Sequence, residues 1–385
     1  MQTKLLDTIK RELQASPLFN LSLTNKELFH SNFLAWFGNT YKPEFKKLIE
    51  ELLGQGSWPA DVLDYKIDRE FMHFDICVKD SHNKPRIVIE NKVKSVPTKE
   101  QLDAYRNEVN SNSCLFILLT MTTQLHNLAR AQGWHIITYK DISDALFKVK
   151  LADPYHSLLL EDYRKYVDYL QQVIECFDAE TTYLSKKEDR RYKSDLGIHD
   201  ICGKRKAQIL YRKLIAESKK KGWVVVPNVT ELTADKVMVG WGFTNSQPLI
   251  DVKLRSGADI FVIQIQGNQY RHAVEYFDQR IGDRIEKIGD DFFPSQKGLD
   301  YLLSKYPDMY AAKGSNPAFY PFEGKFGNKK EEGYCKFCNG KSDDNGWISC
   351  FVHQWIPIPK DMTCDELVSN IIKDTEAIKN RHGLK

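Results

Sequence analysis

Asp75, Glu90 and Lys92 stand close together in the stretch FDICVKDSHNKPRIVIENKVKSVPTKEQLDAY, residues 74–105. The stretch reads as two strands joined by a six-residue polar loop, Asp80 to Pro85, then a helix opened by Pro97 and Thr98. In a symmetric hairpin with Lys79 facing Arg86, Asp75 falls opposite Glu90. Lys92 lies two residues beyond Glu90, so strand alternation puts its ammonium on the same face. Two carboxylates about 5 Å apart repel unless a hard divalent cation bridges them or one takes up a proton. Mg2+ or Mn2+ suits such a pair, because it binds through one or two carboxylates plus a substrate phosphate. The lysine would steady charge on a phosphoryl group under attack, or hold the attacking water. The chemistry these residues suggest is metal-assisted hydrolysis of a phosphodiester.

The helix after the hairpin carries Gln101 and Tyr105, four apart and therefore on one face. They offer neutral hydrogen bonds to a phosphate or a metal-bound water, against the plainer reading of two polar residues on an exposed helix. Lys94 and Lys99 flank that face, as phosphate contacts or as solvated lysines. Upstream, a helix beginning near Thr24 places Glu27, His30, Ser31 and Leu34 along one side. Glu27 can close a capping box with Thr24 or reach the metal as a third ligand, and one carboxylate cannot easily do both. His30 reads as a helix-surface or packing histidine.

These residues resemble the PD-(D/E)xK nuclease superfamily. Asp75, Glu90 and Lys92 match its D…(D/E)xK signature, and Gln101 and Tyr105, in EQLDAY, match the QxxxY element of its RecB-like branches. The run from Glu27 to Trp36, ELFHSNFLAW, is similar to the first-helix motif of one bacterial subgroup, and the matches together span about the first 150 residues. Phe74 stands before Asp75 where the signature has proline, a position that many active members also vary. The resemblance implies a restriction-endonuclease-like core, a mixed central sheet flanked by helices, with Asp75, Glu90 and Glu27 at the metal. It also implies a nuclease acting on nucleic acid, with DNA the expected substrate, and a defence or restriction effector as the expected role. The competing reading is a nuclease-fold protein that binds nucleic acid or a partner without turnover.

A chain of 385 residues with 42% apolar content has room for more than one core. A net charge of +3 excludes bulk charge as the means of holding nucleic acid, so a local basic patch must do it. No signal-like segment or membrane-length apolar run is apparent, and the chain reads as cytoplasmic. Most of the eight cysteines sit singly in apolar stretches, as buried thiols rather than a disulfide framework.

Helices are expected over 1–15 and 43–54, a first strand over 62–71, a helix over 99–109 and a strand buried on both faces at 114–121. A helix near 124–132, a strand at 134–139 and a helix at 142–149 would complete a nuclease domain of residues 1–150. Residues 151–222 read as a helical, basic connecting segment. Its helix over 158–177 is a packing helix or a homodimer contact. Between 185 and 222 thirteen Lys or Arg stand against five acids, and Lys204, Arg205 and Lys206 are the candidate backbone contacts.

Residues 223–385 read as a C-terminal α+β domain for recognition or regulation. Four strands between 223 and 267 are followed by a helix over 272–288 and a closing helix over 364–379. The aromatics of 317–326 would line a recognition surface or merely pack. Cys335, Cys338, Cys350 and His353 have the ligand count of a structural zinc knuckle. Strand alternation over 347–358 argues against it by sending Cys350 and His353 to opposite faces.

Overall fold

The computed structural model describes residues 2–22, 26–93, 99–109, 113–121, 133–178, 181–185, 187–226, 231–233, 236–244, 247–256, 259–277, 320–325 and 349–383. Two compact units emerge: Met1–Ala179 with Arg191–Cys202, and Glu180–Arg190 with Gly203–Lys385.

The first unit opens with α1 (Gln2–Ala15), α2 (Pro17–Ser22), α3 (Lys26–Thr40) and α4 (Lys42–Leu53). The hairpin meander follows as β1 (Tyr65–Phe71), β2 (Phe74–Asp80) and β3 (Pro85–Lys92), then α5 (Lys99–Glu108), β4 (Leu115–Thr120), β5 (His135–Thr138) and α6 (Tyr139–Leu146). The sheet order is β1-β2-β3-β4-β5, antiparallel through β3 and parallel from β3 to β5. This mixed sheet, covered by helices on both faces, is the restriction-endonuclease-like architecture. The helix expected near 124–132 and the Thr24 side of the capping box lie outside the described residues.

Alternation along β3 distributes its side chains between two apolar layers. Ile87 and Ile89 join the core built with α3, α4 and α6, whereas Val88 joins the one containing Leu102 of α5, Phe116 and Trp134. Helix α3 docks on the sheet edge through Asn39, whose amide donates to the Ile67 carbonyl and accepts from the Ile67 amide, both at 2.8 Å. An edge strand thereby has a buried backbone pair satisfied by one side chain.

A long helix, α7 (Pro154–Asp178), buries Tyr163, Tyr166, Val167, Leu170, Val173 and Ile174 in the same core as the sheet. It packs as part of the first unit, so the expected connecting segment of 151–222 does not stand apart. The remaining helices are α8 (Lys187–Asp195) and α9 (His199–Lys220), and most of α9 falls in the second unit, with Ala207, Leu210 and Leu214 in its core.

The second unit's sheet runs β11-β10-β9-β8-β7-β6, formed by β6 (Val224–Val226), β7 (Lys236–Thr244), β8 (Gln247–Ser256), β9 (Asp259–Gln266), β10 (Gln269–Phe277) and β11 (Ser349–Pro357), and α10 (Cys364–Arg381) closes the chain. Strand β10 replaces the start of the helix expected at 272. Gly267, at φ +57°, and Asn268 form a two-residue turn that pairs Gln266 with Gln269, and Tyr270 then alternates onto the core face. Tyr320 and Phe322 pack against that core, Tyr320 stacking on His272 with ring centroids 4.0 Å apart. These two aromatics therefore support the packing reading of their segment. No helix among the described residues is long and apolar enough to cross a membrane.

Candidate active site

The β2–β3 ladder pairs Ile76 with Ile89, Cys77 with Val88 and Val78 with Ile87. One further step of this register brings Asp75 opposite Glu90, as the spacing predicts. Nearer the turn the symmetry fails, and an irregularity pairs Lys79 with Pro85 rather than Arg86. Asp80 folds the loop tightly by accepting from the amides of His82 at 2.9 Å and Lys84 at 3.0 Å, while Arg86 turns to Asp61. The slip sits on the loop side of the ladder and leaves the site end in register.

Glu90 is 1% exposed. Its Oε1 is 2.5 Å from Lys92 Nζ and accepts from Gln101 Nε2 at 3.4 Å; Gln101 Nε2 also donates to the Tyr105 hydroxyl at 3.0 Å. The other oxygen, Oε2, is buried with no hydrogen-bond donor among the described residues. Asp75 Oδ2 accepts from the backbone amide of Asn91 at 2.7 Å. The Asp75 and Glu90 side chains meet closely enough to share a hydrogen bond if one keeps a proton; as two carboxylates they only repel.

The electrostatics follow from that crowding. Burial, and then the Asp75 charge, push Glu90 from its ordinary 4.5 to about 7. Burial also raises Asp75, against the Asn91 amide and the Lys92 charge, which favour its ionised form. Burial works against the charge on Lys92, but Glu90, with Asp75 and Glu27 behind it, outweighs burial and lifts its pKa. Burial raises Tyr105 as well, so the phenol remains a neutral hydrogen-bonding group.

The structure thus brings Asp75, Glu90, Lys92, Gln101 and Tyr105 together. Glu27 lies within electrostatic reach of both acids and the lysine, near the start of α3. Among the described residues no three His, Cys, Asp or Glu side chains are grouped closely enough to hold a metal ion. The described donor set is therefore two carboxylates, with Glu27 at a distance. His30 is a packing residue, fully buried, with Nδ1 3.0 Å from the Tyr163 hydroxyl and its ring stacked on Tyr166.

Other sequence candidates do not assemble here. Lys94 and the side chain of Lys99 lie outside the described residues. Arg205 and Lys206 are each 7% exposed, and burial removes them from the surface that a phosphate backbone could reach; Lys204 is half-buried. Cys335 and Cys338 also lie outside the described residues. Cys350 and His353 are three apart on β11, in register with Tyr276 and Ala273 of β10.

Sequence reasoning passed over Asn91, the residue between Glu90 and Lys92. It is 1% exposed, and its Nδ2 donates to the Glu27 carbonyl at 2.8 Å and to Ser31 Oγ at 3.1 Å. Its Oδ1 accepts from the Tyr139 hydroxyl at 2.6 Å. An asparagine among strand isoleucines was the available signal, since a polar side chain in a strand buried on both faces must find partners.

The donor chemistry fits a hard divalent cation. Two adjacent carboxylates, one with a buried unsatisfied oxygen, form an arrangement whose repulsion and lost hydration such an ion would relieve. Residues 18–152 match the family model of the PD-(D/E)XK nuclease superfamily. Comparison with curated proteins and with solved structures gave no match.

Proposed function

From the match of residues 18–152 to the family model of the PD-(D/E)XK nuclease superfamily, we propose that this chain is a nuclease that hydrolyses DNA phosphodiesters with Mg2+ or Mn2+. The observation that carries the reading is the Glu90 carboxylate, held at Oε1 by Lys92 and Gln101 and unsatisfied at Oε2 beside Asp75. Asp75 and Glu90 would hold the cation, with Glu27 near enough to add charge. When bound, it would lower the pKa of an attacking water and offset charge on the phosphate.

The chain's own groups do the rest. The Asn91 amide keeps Asp75 in place and favours its ionised form. Lys92, 2.5 Å from Glu90 Oε1, would stabilise negative charge as the phosphoryl centre is attacked. Gln101 and Tyr105 orient Glu90 through neutral hydrogen bonds and so add no charge that competes with the substrate's. The separate second unit supports assigning target selection or regulation to residues 203–385, as a defence or restriction effector would require.

The test is incubation of the purified chain with plasmid, single-stranded DNA and RNA in Mg2+, Mn2+ or EDTA, beside Asp75→Ala and Lys92→Ala. Metal-dependent cutting of DNA that both substitutions abolish is the expected result. Absence of wild-type cutting under every metal would refute the enzyme, and binding without cutting would favour a nuclease-fold binding protein. Preferential cutting of RNA would correct the substrate alone.

A further inference from the structure

Asn91 sits between two site residues yet points to the other side of the sheet, the side that packs on α3. Its two neighbours on that face, Ile87 and Ile89, show what simple packing requires there: apolar side chains, 0% and 4% exposed. A buried amide in the same row must be satisfied to be tolerated, and this one is. Both described Nδ2 bonds go to α3, to the Glu27 carbonyl and to Ser31 Oγ, while Oδ1 is held by Tyr139 of α6. Ser31 Oγ in turn donates to the Glu27 carbonyl at 3.2 Å. The backbone amide of the same residue holds Asp75. One residue therefore fixes the acid of β2 through its main chain and the helical turn that carries Glu27 through its side chain.

We propose that Asn91 is the positioning residue of the metal centre, holding the α3 turn that carries Glu27 in place so that the Glu27 charge acts on the divalent cation held by Asp75 and Glu90. This rests on the nuclease reading above and adds the residue that positions its charged groups. The Tyr139 hydroxyl belongs to the same device, because it fixes which way the amide faces: Oδ1 toward α6, and so Nδ2 toward α3. Hydrogen bonds to the ligating groups themselves are typically worth about 10- to 100-fold in metal affinity; the Asn91 side chain reaches Glu27 through its main-chain carbonyl, which places the expected loss at the low end.

The experiment is calorimetric titration of the full-length chain with Mn2+, for wild type, Asn91→Ala, Tyr139→Phe, Glu27→Gln and the double variants combining Glu27→Gln with each of the first two. The expected result is a loss of about 10-fold in Mn2+ affinity for Asn91→Ala, with a smaller loss for Tyr139→Phe. In the Glu27→Gln background both losses should shrink sharply, because Asn91 acts through a charge already removed. A purely structural asparagine would give losses unaffected by Glu27→Gln, and that additivity would overturn the proposal, as would Asn91→Ala affinity within about twofold of wild type. Should Asn91→Ala fail to fold, the Tyr139→Phe cycle decides by the same criterion. Wild type that binds no Mn2+ would sink the metal-dependent function itself, and this inference with it; flat variants beside a binding wild type would sink the inference alone.

Discussion

Replacing Glu90 with glutamine should make the unliganded first unit relatively more stable as pH rises, even as it removes a candidate metal ligand. Burial and the Asp75 charge raise Glu90 from 4.5 to about 7, so the folded chain keeps a proton that the unfolded chain releases from about pH 4.5 upward. The stability tied to this group is fully present below the unfolded value and is lost as pH rises through the folded one. At 1.36 kcal/mol for each tenfold change in proton affinity the loss totals about 3.4 kcal/mol, and about 2.5 kcal/mol of it falls between pH 5 and pH 8. Lys92 stays charged over this range, since its carboxylate neighbours hold its pKa above the ordinary value despite burial. Subtracting wild type from Glu90→Gln cancels the titrating groups that do not interact with Glu90, so in EDTA the variant should gain about 2.5 kcal/mol relative to wild type from pH 5 to pH 8. Urea titration read by hydrogen exchange of β3 peptides reports the unit that contains the site. Mn2+ at pH 8 should then stabilise the wild type more than the variant, because the variant keeps Asp75 but lacks the Glu90 carboxylate. A difference between the two proteins that stays flat within about 0.5 kcal/mol from pH 5 to pH 8 would refute the account of Glu90 as a buried carboxylate crowded by Asp75.

Gln101→Ala removes the amide that bridges Glu90 and Tyr105, and should lower the rate of DNA cleavage about 10- to 100-fold with an unchanged circular-dichroism spectrum. The β1–β2 turn places Met72 at φ 51° and His73 at φ 66°, left-handed conformations that side chains resist, so Met72→Asn with His73→Gly should stabilise the fold by about 1–2 kcal/mol, seen as a higher Tm. His30→Ala strips a buried ring from the tyrosine cluster of α7 and should cost about 2–4 kcal/mol in urea denaturation while Mn2+ affinity stays that of the wild type. Gly38→Ala would drive a methyl into Ile67 and to 2.9 Å from Phe45, and should cost about 1–3 kcal/mol by the same assay.

Much of the site was legible without coordinates because a strand's period is fixed. Once residues 74–92 are read as a hairpin, alternation and register place Asp75, Glu90 and Lys92 on one face, and the four-residue spacing of Gln101 and Tyr105 places both on one side of a helix. Such relations are local, and backbone geometry alone enforces them. The second unit was less legible for the same reason: a positive-φ glycine turned the chain at 267, and pairing with β9 made a strand of residues whose pattern also suited a helix.

Burial belongs to the tertiary structure. Arg205 and Lys206 look in the sequence like part of a basic surface, yet α9 carries them into the interior, and no local pattern distinguishes a solvated lysine from a packed one. His30 could have faced solvent or a metal until α7, more than a hundred residues away, supplied the tyrosines that enclose it. Asn91 shows the division most plainly. The sequence determined that it lies between Glu90 and Lys92 and therefore points away from them. That it meets Glu27, Ser31 and Tyr139 was decided only when α3 and α6 packed on the far face of the sheet, because a buried amide takes its role from the partners that distant segments bring to it.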